Sequence, residues 1–170
     1  MLAYVTVTGR GAADRLLDGI ATTLMARGVR LAGVVQRNIE TDPGRPCDME
    51  LHLLDGGQAM RISQRLGGMA RGCRLDTGAL ESCAALAERA LERAPDLVIV
   101  NKYGKQESQG RGFRPLIGTA LASGIPVLTA VGPQNMAAFE AFAGGLADPL
   151  PPCRDAIVEW CARHCDGVAV

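Results

Sequence analysis

The residues best suited to chemistry follow the apolar run Leu97-Val98-Ile99-Val100: Asn101-Lys102-Tyr103-Gly104-Lys105-Gln106-Glu107-Ser108-Gln109-Gly110-Arg111-Gly112-Phe113-Arg114. Lys102, Lys105, Arg111 and Arg114 stand against a single carboxylate, Glu107, among the glycines Gly104, Gly110 and Gly112. Ligands of α/β proteins sit at the carboxyl ends of strands, so a charged, flexible loop here is expected to carry function. Its charge balance points to an anion. Arg111 and Arg114 fall just before or within the first turn of the next helix, where the dipole opposes a cation by roughly 0.3–1 kcal/mol. A bound anion, or Glu107, would offset that cost. The alternative is a solvated loop with no ligand.

A second candidate lies near the start of the chain. Strand, glycine turn and helix make up the layout of a phosphate-binding loop, in which backbone amides and a helix N-terminus hold an anion. The usual pattern is G-x-x-x-x-G-K-[ST]. Here Gly9 opens the frame, but Asp14 takes the place of the second glycine, Arg15 that of the lysine and Leu16 that of the hydroxyl. Asp14 brings negative charge to where phosphate should approach, and Leu16 cannot ligate magnesium. Arg15 keeps a positive charge with different reach and geometry. The loop is a poor triphosphate site as written. Gly9, Arg10 and Gly11 either bind a smaller anion through free amides or form an ordinary turn.

In a phosphate-loop NTPase, another strand ends in an Asp that holds magnesium, often followed by a catalytic Glu. Here that strand ends in Asn101 and Lys102, which removes metal affinity and the base and makes the site more positive. Magnesium is not expected at the usual position, and no metal site is expected.

These groups must be positioned by alternating strands and helices. Residues 2–8 read as a strand, and Leu17, Ile20, Ala21 and Leu24 recur at helical spacing until Gly28. Residues 30–36 form a second strand. Residues 48–54 and 58–63 flank Asp55-Gly56-Gly57, a strong hairpin signal. Leu80, Cys83, Ala87, Ala90, Leu91 and Ala94 mark one face of a long helix ended by Pro95. After the charged loop come a helix over residues 115–123, a strand over 125–131 and a helix bearing Met136, Phe139 and Phe142. Pro149-Leu150-Pro151-Pro152 is a breaker run, and a last helix covers residues 154–165. The pattern predicts a three-layer α/β domain over residues 1–170, with a mostly parallel sheet and a β-hairpin insertion.

At 170 residues the chain suits one domain with a substantial core. A formal net charge of zero argues against a nucleic-acid binder. No apolar run approaches the roughly 18 residues that span a bilayer, and the start lacks a signal peptide, so the cytoplasm is the expected compartment. An oligomer is compatible with this. The six cysteines are expected to be reduced. Cys153, Cys161, His164 and Cys165 cluster near the C-terminus, and packing explains them better than metal binding. Residues 61–76, including Arg65, Leu66, Gly67 and Cys73, either reach a shared cleft or connect elements. His52 is expected to be a core or surface histidine.

The segment NKYGKQESQGRGFRP, with ISQRLG, GCRLDTGALES and GIPVLTAV, resembles the bacterial family known as domain of unknown function 2478, over nearly the whole chain. That family is similar in layout to small nucleoside-triphosphatases of the thermophilic and cancer-related type. Their second loop resembles I-D-E-I-G-K-M-E, which maps onto residues 100–107. The resemblance implies a P-loop NTPase-like fold. Family members are often labelled molybdenum-transport ATP-binding proteins, while the residues themselves support only an anion preference. The leading expectation is a protein binding an anionic small molecule, such as a nucleotide, phosphate or an oxyanion like molybdate. Gly9, Arg10, Gly11, Arg15, Asn101, Lys102, Lys105, Arg111 and Arg114 would form the site. One alternative is a nucleotide-dependent phosphohydrolase with a rearranged site, in which Lys102 and Glu107 act as catalytic groups. Another is a protein-interaction module.

Overall fold

The computed structural model describes residues 1–40, 47–64 and 74–165. Arg65, Leu66, Gly67 and Cys73 lie outside the described residues. The strands are β1 (Leu2–Val5), β2 (Leu31–Ile39), β3 (Asp48–Leu53), β4 (Ala59–Arg61), β5 (Leu97–Tyr103), β6 (Val127–Val131) and β7 (Ala147–Leu150). They form one sheet in the order β4-β3-β2-β5-β6-β1-β7. The pairings from β2 to β7 are parallel, and β3 and β4 add an antiparallel hairpin beside β2.

The helices are α1 (Ala12–Ala26), α2 (Thr77–Arg89), the single turn α3 (Lys105–Ser108), α4 (Arg114–Ala122), α5 (Met136–Ala143) and α6 (Arg154–His164). One face of the sheet is covered by α1 and α6, the other by α2, α4 and α5. β5 lies between these layers. Its Leu97 and Ile99 pack with Leu17, Ile20 and Leu24 of α1, while Val98 and Val100 pack with Cys83 of α2 and Ile117 of α4. A parallel strand covered on both faces therefore reads as an unbroken apolar run. Beside it, Gly33 has φ 95°, and a Cβ there would overlap the Ile99 carbonyl oxygen. Only glycine lets β2 and β5 approach so closely.

The fold departs from the sequence expectations in several places; α2 ends at Arg89 with a 3-10 turn over Ala90–Arg93, and β2 runs on to Ile39. The N-terminal strand stops at Val5, opposite Ala130 and Leu150, rather than reaching Thr8. The run around Pro149 is an edge strand, β7, pairing with β1. An edge position tolerates proline because a backbone N–H there can lack a ladder partner without loss. The segment after Val100 is not a flexible loop: Asn101 and Lys102 belong to β5, and α3 follows directly. Among the described residues no helix is long and apolar enough to cross a membrane.

Candidate functional site at the strand ends

The carboxyl end of β5 contains an irregularity that builds the site. Val100 pairs with Thr129 and Tyr103 with Val131, so three steps along β5 span two along β6. Strict alternation would turn Val100 and Tyr103 to opposite faces. The extra residue returns Tyr103 to the core that holds Val100, leaving Asn101 and Lys102 to reach together toward α1.

There they meet Asp14, in the first turn of α1 and only 6% exposed. Asn101 Nδ2 donates to Asp14 Oδ1 at 2.7 Å, and Lys102 Nζ lies 3.3 Å from the same oxygen. Asn38 Nδ2 donates to Asp14 Oδ2 at 2.8 Å, while Gln36 Nε2 donates to Asn38 Oδ1 at 2.8 Å. The Asn101 amide is used at both ends, because its Oδ1 accepts from the Gln36 backbone N–H at 2.8 Å. Burial works to raise the Asp14 pKa, but the Lys102 charge and the amides of Asn101 and Asn38 outweigh it and hold the carboxyl below its ordinary value. The N-terminal dipole of α1 favours the same charge.

The glycine turn stands next to this cluster. Gly9 and Gly11 have φ 101° and 67°, and no side chain caps α1 at Gly11. A Cβ on Gly11 would lie 3.1 Å from Arg15 Nη1 and 3.4 Å from Asn38 Nδ2. Gly11, Arg15, Asn101 and Lys102 are thus gathered around Asp14, with Arg15 and the adjacent Arg10 exposed. The sequence reading missed Asn38 and Gln36. The available signal was a polar end, Gln36-Arg37-Asn38, on an otherwise apolar strand.

Glu107 is occupied elsewhere. It is 4% exposed, and its Oε2 accepts from Gly104 N–H at 2.9 Å while Oε1 accepts from Phe113 N–H at 3.0 Å. Gly112, at φ 59°, leaves no room for a Cβ beside Glu107, and its N–H donates to Glu81 Oε1 at 2.8 Å. Both carboxylate oxygens of Glu107 therefore staple the chain around α3. Arg114 sits over the Phe142 ring at 4.8 Å, and its Nη1 reaches the Glu107 backbone carbonyl at 3.5 Å. Arg111 is exposed and bonds Gln109. These two arginines stand outside the Asp14 cluster, whereas Lys102 and Lys105 line a cavity at the end of β5.

Two of the remaining candidates, Cys83 and Cys161, lie in the cores on opposite faces of the sheet. Cys161 is buried against the α1 face of the sheet, and burial pushes its thiol up to about 12; the Cys83 thiol is pushed up to about 11 in the opposite core. Such thiols are poor nucleophiles. Cys165 is buried too, Cys153 is exposed, and His164 rests against Trp160. Among the described residues no three His, Cys, Asp or Glu side chains gather as a metal site. His52 is half-buried on β3, 3.6 Å from Glu50.

Residues 2–160 match the model of a family described as protein of unknown function, DUF2478. The chain belongs to this family. The DUF2478 chain is also 38% identical over 147 residues to "Molybdenum import ATP-binding protein ModC 2" of Bradyrhizobium diazoefficiens. That alignment takes in 86% of the DUF2478 chain but 16% of the relative, so the chain spans about one-sixth of that protein's length. Among solved structures, THEP1 from the hyperthermophile Aquifex aeolicus superposes with a TM-score of 0.65 at 15% identity, covering 94% of this chain and 95% of that one. At that identity the likeness shows the fold alone: a three-layer α/β domain of P-loop NTPase-like type.

Proposed function

We propose that the chain binds an anionic small molecule at the carboxyl ends of β1 and β5, without ordinary magnesium-dependent hydrolysis of a nucleoside triphosphate. A nucleotide, phosphate or an oxyanion such as molybdate is the ligand class. The observation that carries this reading is the Asp14–Asn101–Lys102 cluster beside the uncapped start of α1. Asn101 offers a metal no carboxylate, and its amide already bonds Asp14 through Nδ2 and Gln36 through Oδ1. Glu107, the candidate base, has both oxygens bound to backbone amides. What remains accessible is cationic: Arg10, Arg15, Lys105 and Lys102, whose side chain is 50% exposed. Asp14 pairs with Lys102 at 3.3 Å, and a ligand anion would compete for that ammonium.

Isothermal titration calorimetry with ATP, phosphate, sulfate and molybdate tests the reading, the choice of ATP and molybdate following the name of the 38%-identical relative. Binding of at least one is expected, unaffected by magnesium and weakened by salt. Lys102→Ala should lower the affinity about tenfold, the worth of one charge-assisted hydrogen bond. No heat from any of the four would overturn the proposal.

A further inference from the structure

The cavity beside Lys102 has a character that the anion reading leaves unexplained. It occupies about 140 Å³ between the hairpin, α2 and the end of β5. Leu51, Ile62, Leu75, Leu80 and Phe113 form its apolar wall. Gln36, Asn101, Lys102 and Lys105 line it from the strand ends and the start of α3. Glu107 also contributes, but both of its oxygens are taken by the amides of Gly104 and Phe113. The cavity therefore combines an apolar wall with two lysines in its lining; among the described residues, the lining carboxylate of Glu107 is held by backbone amides, and Asp14 shares Lys102 at 3.3 Å.

Size decides what fits. Pockets that enclose drug-sized ligands run from about 300 Å³ upward, so this space is too small to enclose a whole nucleotide. An apolar cavity of about 150 Å³ holds a benzene ring. A bare oxyanion would have to lie against leucine and phenylalanine side chains that cannot hydrogen-bond it. An apolar body with one anionic group satisfies both ends. From these complementarities we infer that the cavity is a binding site for a small monocarboxylate with an aromatic or branched aliphatic body. The body would sit among Leu51, Ile62, Leu75, Leu80 and Phe113, with the carboxylate toward Lys105 and Lys102. This inference rests on the anion reading and names a ligand class within it.

Benzoate and its uncharged counterpart benzyl alcohol serve as probes, with inorganic phosphate as the anion lacking a body. In methyl NMR of the wild-type chain, benzoate should shift the methyls of Leu51, Ile62, Leu75 and Leu80. Lys105→Ala, at an exposed position, should weaken benzoate about tenfold and leave benzyl alcohol unchanged. Leu80→Phe, which fills the cavity, should abolish benzoate binding while any phosphate binding persists; the wild-type methyl shifts keep the test valid if that variant does not fold. Phosphate binding without any benzoate shift at the cavity methyls would overturn the cavity proposal and leave the anion reading standing. Benzyl alcohol binding as tightly as benzoate would also overturn it, since charge would then play no part. Absence of binding by every anion would overturn both.

Discussion

Asp14 stands at the position where the phosphate-loop pattern has its second glycine, and its carboxylate gathers side-chain partners. Asn101, Asn38 and Lys102 converge on it. Because these partners outweigh desolvation, its pKa in the fold lies below the ordinary 3.8. A lowered carboxyl pKa adds stability that is fully present above the unfolded value and is lost as pH falls through the folded one. Denaturant melts of wild-type and Asp14→Asn chains at pH 7 and at successive steps below 3.8 should therefore converge as the pH falls. At pH 7 the variant should be less stable by about 1.5–3 kcal/mol, the range for a hydrogen bond to a charged group. A wild-type advantage that stays constant down the acid series would show that Asp14 is not held in its ionised form. The identity of Asp14 was plain in the sequence, but its partners were not. Asn38 is 24 residues away and Asn101 is 87 residues away, and no local pattern pairs groups at such separations.

At the scale of elements, the β5 irregularity and the α3 staple turn a charged segment into an ordered site. Glycines and charges make residues 101–114 read as one flexible loop. In the fold, the two oxygens of Glu107 replace the regular backbone pairing that such a segment lacks. Glu107→Ala should strip partners from the Gly104 and Phe113 amides and cost about 1–3 kcal/mol for each donor left unsatisfied. Glu107→Gln, keeping one acceptor oxygen, should recover part of that. Thermal melts of the two variants check it; an unaltered Tm in Glu107→Ala would remove the staple role and return Glu107 to candidacy as a base. The hairpin, by contrast, was legible in the sequence: Asp55-Gly56-Gly57 sets its turn locally, and β3 and β4 follow on either side. β7 was hidden because Pro149 and its neighbours read as breakers, while its edge position depends on β1, more than 140 residues earlier in the chain.

For the whole molecule, the P-loop NTPase-like fold brings the start of α1 against the carboxyl end of β5, where Asp14 meets Asn101 and Lys102. With ATP and magnesium, phosphate release is expected to match the protein-free control. A magnesium-dependent rate abolished by Lys102→Ala would overturn the non-hydrolytic proposal. The alternation of apolar strands and amphipathic helices determined the layered α/β architecture, because burial on a strand or helix face is written in short periods along the chain. The exchanges at Asp14, Arg15, Leu16, Asn101 and Lys102 were equally visible in the sequence, since each is a residue identity at a motif position. Only the tertiary structure decided that Lys102 answers Asp14, that Glu107 serves its own backbone, and that Arg111 and Arg114 stand apart from the cluster. Those outcomes depend on distances of a few ångströms between distant segments and on one extra residue in β5, and the local periodicity of the sequence encodes neither.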